Sequence, residues 1–382
     1  MATIPSAVGK KRELSVVGKK LDLVDKLYQR SILPSVMKVA RGERLSAPLV
    51  VDLDPTSFCD LSCPECISAN ILNDGQIERD RIEQLAEELA GSTVKAVILI
   101  GGGEPLMHKS VGKIIATLAG AGIRVGLVTN GTLIHRYIED IAEHLSWTRV
   151  SMDAATARTH RIFRPSGRLQ SVFPIIVENM RALAKKKKGT LGYSFLLMKR
   201  ELPNGEITTS NYGELLAAGK LAKDIGCDYF EVKAAFDEGH FVLPASPQQT
   251  EELREQSRLL AQLEDDGFRV LRSSTFRSIL DGKERIQPKE YARCLTAELR
   301  TTMTPSGVYV CPYHRGNAQA KIGDIRKEAF LDMWKRADSS IVDPRRQCQF
   351  HCARHDTNLE LAKLVQVDFD EDQLVDDFDL FI

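Results

Sequence analysis

Residues 95–105 read KAVILIGGGEP, an unbroken apolar run that ends in three glycines, a glutamate and a proline. A short apolar run followed by turn residues is typical of a strand that is buried on both faces, as in a parallel sheet. Glycines directly after such a strand let the backbone approach a ligand closely. We therefore predict a strand over residues 95–100 with a ligand-binding turn at its carboxyl end.

The same kind of segment recurs on both sides of this strand, and the stretches between the runs space their apolar residues as helices do. The predicted strands cover residues 49–53, 95–100, 123–128, 147–151, 191–198 and 228–233. The predicted helices cover residues 79–92, 110–121, 133–144, 170–187 and 210–225. This alternation indicates an α/β fold with a parallel sheet. Because six units fall short of the eight of a closed barrel, we expect a partial (β/α)6 TIM-like barrel.

The pattern changes near residue 272, and the chain is cysteine-bearing and rich in turns from about residue 290 onward. We therefore expect a basic, helical lead-in (1–47), the barrel (48–272), a small cysteine-rich domain (273–356) and an acidic tail (357–382). The lead-in holds ten Lys or Arg against four Asp or Glu, and the tail carries seven acidic residues over 367–382. Their opposite charges raise the question of whether the two ends meet.

Composition excludes several classes of protein. The chain has 382 residues, 52 basic and 52 acidic side chains, and 43% hydrophobic residues. It can bury a sizeable core, and its balanced charge gives no general attraction to nucleic acid. No run approaches the roughly 18 apolar residues of a membrane span, and the first residues lack the apolar part of a secretory signal. We therefore expect a cytoplasmic protein whose clustered cysteines stay reduced and bind metal or do chemistry.

The eight cysteines form two groups and a remainder. Cys59, Cys63 and Cys66 make a CxxxCxxC motif on one loop. Three thiolates can hold three corners of a [4Fe–4S] cluster and leave one iron open for a substrate or cofactor. A zinc site is the alternative, although zinc normally takes four ligands with two-residue spacers. The GGGEP turn lies one strand downstream and supplies a ligand cradle, which favours the cluster.

Together, the cysteine motif and residues 101–105 resemble the radical S-adenosylmethionine (SAM) enzymes. The resemblance covers residues 48–235 and includes the segments 129–131 (TNG) and 151–154 (SMDA). It implies that the three cysteines hold the cluster and that the open iron takes the amino and carboxylate groups of SAM. The residues implied in SAM binding are Gly102, Gly103, Glu104, Asn130 and Ser151. The residue before the third cysteine is commonly aromatic in the family, and Glu65 departs from that pattern.

The resemblance also implies a chemistry. Radical SAM enzymes take one electron, here from a flavodoxin- or ferredoxin-like donor, and cleave SAM to methionine and a 5′-deoxyadenosyl radical. That radical removes a hydrogen atom from an unactivated C–H bond of the substrate. The protein positions the reactants and excludes water and oxygen.

The second group consists of Cys294, Cys311, Cys348 and Cys352. Four thiolates can fully ligate one cluster, and the alternative is a structural zinc site. The surrounding sequence resembles the auxiliary-cluster extensions called SPASM and twitch domains, in Gly307, the segment 322–324 (IGD), Trp334 and the final CxxxC. Four cysteines fit the twitch type, although the spacing from Gly307 to Cys311 is one residue short. The implied cofactors are therefore SAM and two [4Fe–4S] clusters, one SAM-binding and one auxiliary.

Twitch enzymes include aminocyclitol dehydrogenases of antibiotic biosynthesis. By that resemblance we expect an oxidoreductase that oxidises a carbinol carbon of a small polyol-, sugar- or aminocyclitol-type substrate, with the auxiliary cluster accepting the remaining electron. An epimerase of a sugar or aminoglycoside and a peptide-modifying maturase are alternatives, although the 47-residue lead-in is short for a maturase's leader-binding module. The alternative outside the enzymes is a zinc or iron–sulfur binding protein.

Several residues outside the two groups are candidates for catalysis. Cys227 lies between a predicted helix and the next strand, at the amino end of the strand and away from the barrel mouth. A buried structural role is the expected one, whereas a hydrogen-donating role would suit an epimerase. The candidates for contact with the substrate or for proton transfer are Arg164, Lys233, Tyr313, His314 and Arg315, each with a surface or salt-bridged role as the alternative.

Overall fold

The computed structural model describes residues 23–167, 170–201, 207–237, 240–244, 246–283, 285–366 and 374–382. Residues 1–22 of the predicted lead-in and 367–373 of the predicted tail lie outside the described residues. In the described ranges, no helix combines the length and the apolar character needed to cross a membrane.

The strands alternate with helices over most of the chain. The strands are β1 (Val50–Leu53), β2 (Ala96–Leu99), β3 (Arg124–Thr129), β4 (Trp147–Ser151), β5 (Thr190–Leu197), β6 (Lys199–Glu201), β7 (Ile207–Ser210), β8 (Tyr229–Ala234), β9 (Phe236–Asp237), β10 (His240–Phe241), β11 (Arg269–Arg272), β12 (Arg300–Thr304), β13 (Gly307–Tyr309) and β14 (Lys321–Gly323). The helices are α1 (Leu33–Ala40), α2 (Arg79–Ala90), α3 (Val111–Gly120), α4 (Ile138–His144), α5 (Ala157–Phe163), α6 (Phe173–Ala184), α7 (Leu215–Ile225), α8 (Pro247–Ala261), α9 (Ser274–Leu280), α10 (Thr296–Leu299), α11 (Phe330–Arg336), α12 (Pro344–Gln347) and α13 (His355–Lys363).

One ten-stranded sheet has the order β11-β8-β5-β4-β3-β2-β1-β12-β13-β14. Every neighbouring pair from β11 to β12 is parallel, whereas β13 and β14 are antiparallel. The predicted α/β class with a parallel sheet is confirmed. The parallel run is longer than the six predicted strands, because β11 follows β8 at one edge and β12, from the cysteine-rich region, pairs with β1 at the other.

Local sequence explains why the helices cover the outer face of this sheet. In α2 the buried residues are Ile82, Leu85, Ala86 and Leu89, the spacing of one helical face. The α7 helix ends where Gly226 takes φ 93°, a left-handed conformation that favours glycine. Every residue of β1 and β2 is buried, as expected for strands covered on both faces.

The amino-terminal end of the barrel is closed by residues 23–40 and 374–382, a layer that we call the barrel floor. Leu27, Val36 and Phe381 belong to an apolar cluster with Trp147 at the start of β4. The buried Lys26 Nζ lies 2.5 Å from the Asp379 carboxylate. The described parts of the basic lead-in and the acidic tail therefore meet inside the molecule. Because the floor fills the amino-terminal end, the open side of the barrel lies at the carboxyl ends of the strands.

Candidate active site

The carboxyl ends of the parallel strands open into a cavity of about 1180 Å³. Its wall contains all seven cysteines of the two groups: Cys59, Cys63, Cys66, Cys294, Cys311, Cys348 and Cys352. The two groups, separated by more than 200 residues in the sequence, thus face the same space.

The first cysteine group lies on the loop between β1 and α2. Burial raises the pKa of the Cys59 thiol to about 12 and also raises the pKa of Cys63. Two polar groups lie next to these thiols: Asn130 Nδ2 is 3.9 Å from Cys59 Sγ, and Arg164 Nη1 is 3.9 Å from Cys63 Sγ. Cys59 and Cys63 are therefore partly shielded from water, with donors close to their sulfur atoms.

The glycine turn packs directly against this loop. Glu104 donates its backbone N–H to Phe58 O at 2.8 Å. A Cβ at Gly103 would lie 2.3 Å from the carbonyl oxygen of Phe58, so only glycine fits there. Gly102 donates its N–H to Asp54 Oδ2 at 3.0 Å. The turn is therefore fixed relative to the cysteine loop through backbone contacts, and its glycines line the cavity.

The Glu104 side chain is buried and holds the ends of two strands together. Its Oε1 accepts from the Thr129 hydroxyl at 2.7 Å and from the Leu106 N–H at 3.1 Å, and its Oε2 accepts from the Asn130 N–H at 2.7 Å. Burial raises the pKa of this carboxyl to about 7 despite these donors. Three protein donors therefore engage the two oxygens of this buried carboxylate.

Replacing Glu104 by Gln is expected to weaken SAM binding about tenfold to a hundredfold. An amide offers one oxygen, so at least one of the three buried donors loses its acceptor, which costs about 1–3 kcal/mol. Equilibrium dialysis of SAM against the anaerobically reconstituted protein measures the effect. The matched control is Glu87→Gln on the exposed side of α2, which leaves the SAM Kd unchanged. An unaltered SAM Kd in Glu104→Gln would contradict this role of the carboxylate.

The ends of β3 and β4 add a polar wall. Asn130 Nδ2 donates to Asp60 in the cysteine loop at 2.8 Å, and Ser151 lines the cavity. Asp153 adopts φ 53°, a strained conformation for a residue other than glycine. Its carboxylate accepts from Leu196 N–H at 2.7 Å and pairs with Arg164 at 2.5 Å. Arg164 is therefore a paired cation beside the first cysteine group and not a free base.

Glu65, which departs from the family pattern, forms a bidentate pair with Arg200 of β6. The distances from Arg200 Nε to Oε1 and from Nη2 to Oε2 are 2.5 and 3.1 Å. The Arg200 guanidinium also lies over the Phe163 ring, 5.2 Å from its centroid. The carboxylate thus ties the cysteine loop to β6 at the rim of the cavity.

The second cysteine group comes from three short segments. Cys294 precedes α10, Cys311 follows β13, and Cys348 and Cys352 follow α12. Burial and negative charge on Cys352 raise the pKa of Cys294 to about 12 and that of Cys348 to about 11. His314 Nε2 lies 3.6 Å from Cys348 Sγ.

A buried ion pair connects the two groups. Asp54, which is fully buried at the end of β1, binds Arg315 through both oxygens at 2.5 and 3.2 Å and also accepts the Gly102 N–H. Arg315 lies four residues after Cys311 and donates to the Pro312 carbonyl. The glycine turn and the second cysteine group are therefore held by the same carboxylate.

The remaining candidates fall in different places. Lys233 lines the cavity at the end of β8, where its Nζ lies 2.7 Å from Glu231 Oε2, and Arg149 approaches the same oxygen at 3.2 Å. Burial and the neighbouring Arg149 lower the pKa of Lys233. The Tyr313 ring stacks on Phe350 with centroids 4.5 Å apart.

Cys227 lies outside the cavity wall that holds the other candidates. It is 4% exposed, sits between α7 and β8 and packs in the apolar core between helices and sheet. It does not belong to the cavity wall of the described chain. The hydrogen-donating role that would suit an epimerase therefore has no geometric support.

The sequence comparison identifies one domain of the chain. The family model of the Radical SAM superfamily matches residues 53–199. The chain contains a radical SAM domain. The matched segment holds the first cysteine group, the glycine turn and strands β2 to β5.

Relatives of this radical SAM protein have several functions. The AdoMet-dependent heme synthase of Methanosarcina barkeri is 26% identical over 77% of this chain and 84% of its own length. Mycofactocin maturase MftC of Mycobacterium tuberculosis is 25% identical over 46% of each protein. Among solved structures, SuiB of Streptococcus suis bound to its precursor peptide SuiA superposes with a TM-score of 0.58 at 15% identity, covering 82% of this chain and 70% of that one. At this identity the likeness shows a shared fold.

SAM and [4Fe–4S] clusters are the cofactors of radical SAM enzymes, and the residues present fit them. Seven thiols of the right number and type face the cavity, and the glycine turn beside the first three also lines it. Within the described ranges, no three His, Cys, Asp or Glu side chains converge on a single metal ion. A tetrahedral zinc needs such convergence at about 2.0–2.3 Å, whereas the corners of a cluster do not.

Sequence reasoning missed two residues of the cavity wall, Lys289 and Arg354, and the buried Asp54 behind the glycine turn. Asp54 is the last residue before Pro55 at the end of β1, a place where a polar side chain points to the mouth of a barrel. Lys289 and Arg354 are cations close in sequence to Cys294 and Cys352, which was the available signal.

Proposed function

We propose that this chain is a radical SAM oxidoreductase that oxidises a carbinol carbon of a small polyol-, sugar- or aminocyclitol-type substrate. The observation that carries the proposal is that the two cysteine groups line one cavity. A substrate in that cavity lies between the place of SAM cleavage and a second group of thiols suited to an electron-accepting cluster. The same arrangement argues against a purely structural metal site, which would not need a shared cavity.

The reaction balances with one SAM and one external electron. Bound SAM and clusters supply the 5′-deoxyadenosyl radical and an acceptor for one electron. Transfer of the carbinol hydrogen atom forms 5′-deoxyadenosine and leaves a substrate radical. That radical loses one electron to the acceptor and its hydroxyl proton to a base, and a ketone results. The protein's task is to hold the substrate, exclude water and accept the proton.

Lys233 is the residue of the cavity wall that best suits the proton. Its Nζ lies at the carboxyl end of β8, where burial and Arg149 lower its pKa and the Glu231 carboxylate at 2.7 Å acts in the opposite direction. The Glu231 carboxylate accepts from this amine and holds it in place. His314, by contrast, lies against Cys348 and therefore next to the second thiol group.

A second candidate is the modification of a larger, planar substrate. It is favoured by the aromatic rings of Phe236, Tyr313, Phe350 and His351, which line the cavity between the barrel and the second cysteine group. Flat ring systems stack on such surfaces. The heme synthase relative makes an iron porphyrin the first planar substrate to test. The SuiB–SuiA complex makes a peptide the second substrate to test, apart from the planar ones.

Deuterium transfer distinguishes these functions. The reconstituted protein, SAM and dithionite are incubated with carbinol-deuterated polyols or aminocyclitols, with iron porphyrin carboxylates, or with peptides. The proposal expects deuterium in 5′-deoxyadenosine and a ketone product from the first set alone. Transfer or product only from a porphyrin or a peptide would replace the carbinol oxidation with that activity. Bound zinc with no SAM cleavage would refute an enzymatic function altogether.

Replacing Cys227 by Ala is expected to leave the product and its rate within about twofold of the wild type. The thiol lies in the core outside the cavity wall, so the cost is one of stability, about 1–2 kcal/mol for a small buried side chain. Thermal denaturation and product analysis by mass spectrometry measure the two effects. Continued SAM cleavage with loss of a stereochemically inverted product would instead identify an epimerase.

A further inference from the structure

Two cations lie beside the second cysteine group. Lys289 is 5% exposed, and its Nζ donates to the carbonyl of Phe350, between Cys348 and Cys352. Arg354 follows Cys352 by two residues, and its Nη1 is buried with no hydrogen-bond partner among the described residues. Both cations interact electrostatically with the Cys352 thiol.

Four other cations of the cavity wall have carboxylate partners. Lys26 pairs with Asp379, Arg164 with Asp153, Arg300 with Asp52 and Arg315 with Asp54.

No described carboxylate lies within 4.0 Å of Lys289 or Arg354, and the nearby Asp52 already binds Arg300 through both oxygens. A buried charge without a counter-ion costs free energy, so an anion is expected in the space next to Lys289 and Arg354.

A [4Fe–4S] cluster held by the second cysteine group would be that anion. Four thiolates around a [4Fe–4S]2+ core leave two net negative charges, since four negative charges are offset by two positive ones. Lys289 and Arg354 supply two positive charges, so the oxidised cluster and the two side chains together are neutral.

We propose that Lys289 and Arg354 are the counter-charges of the auxiliary cluster and raise its reduction potential. Reduction adds one negative charge in a low-dielectric site, so a buried cation stabilises the reduced form more than the oxidised form. This inference deepens the proposed function and rests on it, because a higher potential makes the cluster a better acceptor for the electron of the substrate radical. The two residues act through the cluster and do not contact the substrate.

The test measures a potential and needs no turnover. In a background with Cys59, Cys63 and Cys66 all replaced by Ala, only the auxiliary cluster is present, and its midpoint potential is read by EPR-monitored redox titration. Lys289→Met and Arg354→Met are each expected to lower the midpoint by at least 59 mV, a tenfold change in the equilibrium constant of a one-electron couple.

Two kinds of control separate charge from shape. Lys289→Arg and Arg354→Lys keep the charge and are expected to keep the potential near that of the parent. Arg345→Met removes an exposed arginine that lies three residues before Cys348 and pairs with Asp343. Solvent and salt screen that charge, so its loss is expected to leave the potential unchanged.

Each outcome decides the matter. Equal potentials in the parent, Lys289→Met and Arg354→Met overturn the inference. If a Met variant takes up no iron, the charge-conserving variant decides, because restored iron uptake supports the counter-charge role and continued failure overturns it. A shift in potential in the triple-Ala background, together with no oxidised product from the protein with both cysteine groups intact, refutes the proposed dehydrogenase alone. Oxidised product from the intact protein without a shift refutes this inference alone.

Discussion

Replacing Cys63 by Ala is expected to reduce 5′-deoxyadenosine formation to at most about one-hundredth of the wild-type rate. Mutation of a residue that only hydrogen-bonds to a metal ligand typically lowers metal affinity or activity 10–100-fold, and loss of a ligand itself lowers them at least as much. The loop between β1 and α2 offers three thiols to the cavity, and no other described cysteine lies on that side of it. A cluster held by the two remaining thiols loses the geometry that leaves one iron for SAM.

The measurement combines product analysis with iron content. In the Cys63→Ala protein, iron is expected to fall from about eight to about four atoms per chain, since one of two [4Fe–4S] clusters is lost. Cys227→Ala is the matched control, because it removes a cysteine that lies outside the cavity wall and is expected to keep both clusters. Sustained SAM cleavage by Cys63→Ala would show that the first group is not the cleavage site.

Replacing Cys311 by Ala is expected to separate SAM cleavage from substrate oxidation. The first cysteine group is intact in this variant, so 5′-deoxyadenosine continues to form. The second group has three thiols left, so the substrate radical lacks its electron acceptor. We expect the ratio of oxidised product to 5′-deoxyadenosine to fall at least about tenfold, which corresponds to 1.4 kcal/mol in the competing steps.

Recovered substrate in which hydrogen from the solvent has replaced the carbinol deuterium would be a direct sign of this uncoupling. Cys348→Ala is a parallel variant and is expected to give the same ratio, since both thiols belong to one cluster. Product formation at the wild-type ratio in both variants would mean that the second group is structural. The proposed electron-accepting role would then be abandoned, while the radical SAM domain would be unaffected.

The barrel strands could be predicted because each is a continuous apolar run set off by turns, a signal that needs no tertiary information. The helix predicted over 133–144 begins only at Ile138, because a short 3-10 turn occupies Ile134–Arg136. The short α5 and the β6–β7 hairpin were missed, since elements of three to seven residues carry little periodicity.

Long-range pairing was beyond local reasoning. The segment 300–304 (RTTMT) is polar in composition, yet its Thr301, Thr302 and Thr304 are buried because β12 lies between β1 and β13. Nothing in the local pattern indicates a parallel partner 250 residues earlier, since register depends on the assembled sheet.

For the site, spacing identified the two cysteine groups as separate sets, and the structure brings them to one cavity. The Asp54–Arg315 pair that joins their surroundings has no sequence motif. The same holds for Lys289 and Arg354, whose significance depends on which carboxylates are already paired in the folded chain.

The pairing of β12 with β1 has a consequence for electron transfer. Four register pairs, from Val50 with Arg300 to Leu53 with Met303, join β12 to β1, the strand before Cys59. The strand before Cys311, β13, pairs with β12 in the same hydrogen-bonded sheet. Tunnelling rates fall exponentially with donor–acceptor distance, so a hinge between the two cofactor sites would make the rate fluctuate with every opening. A shared sheet removes that hinge, and the tunnelling distance becomes a fixed property of the fold whichever substrate occupies the cavity.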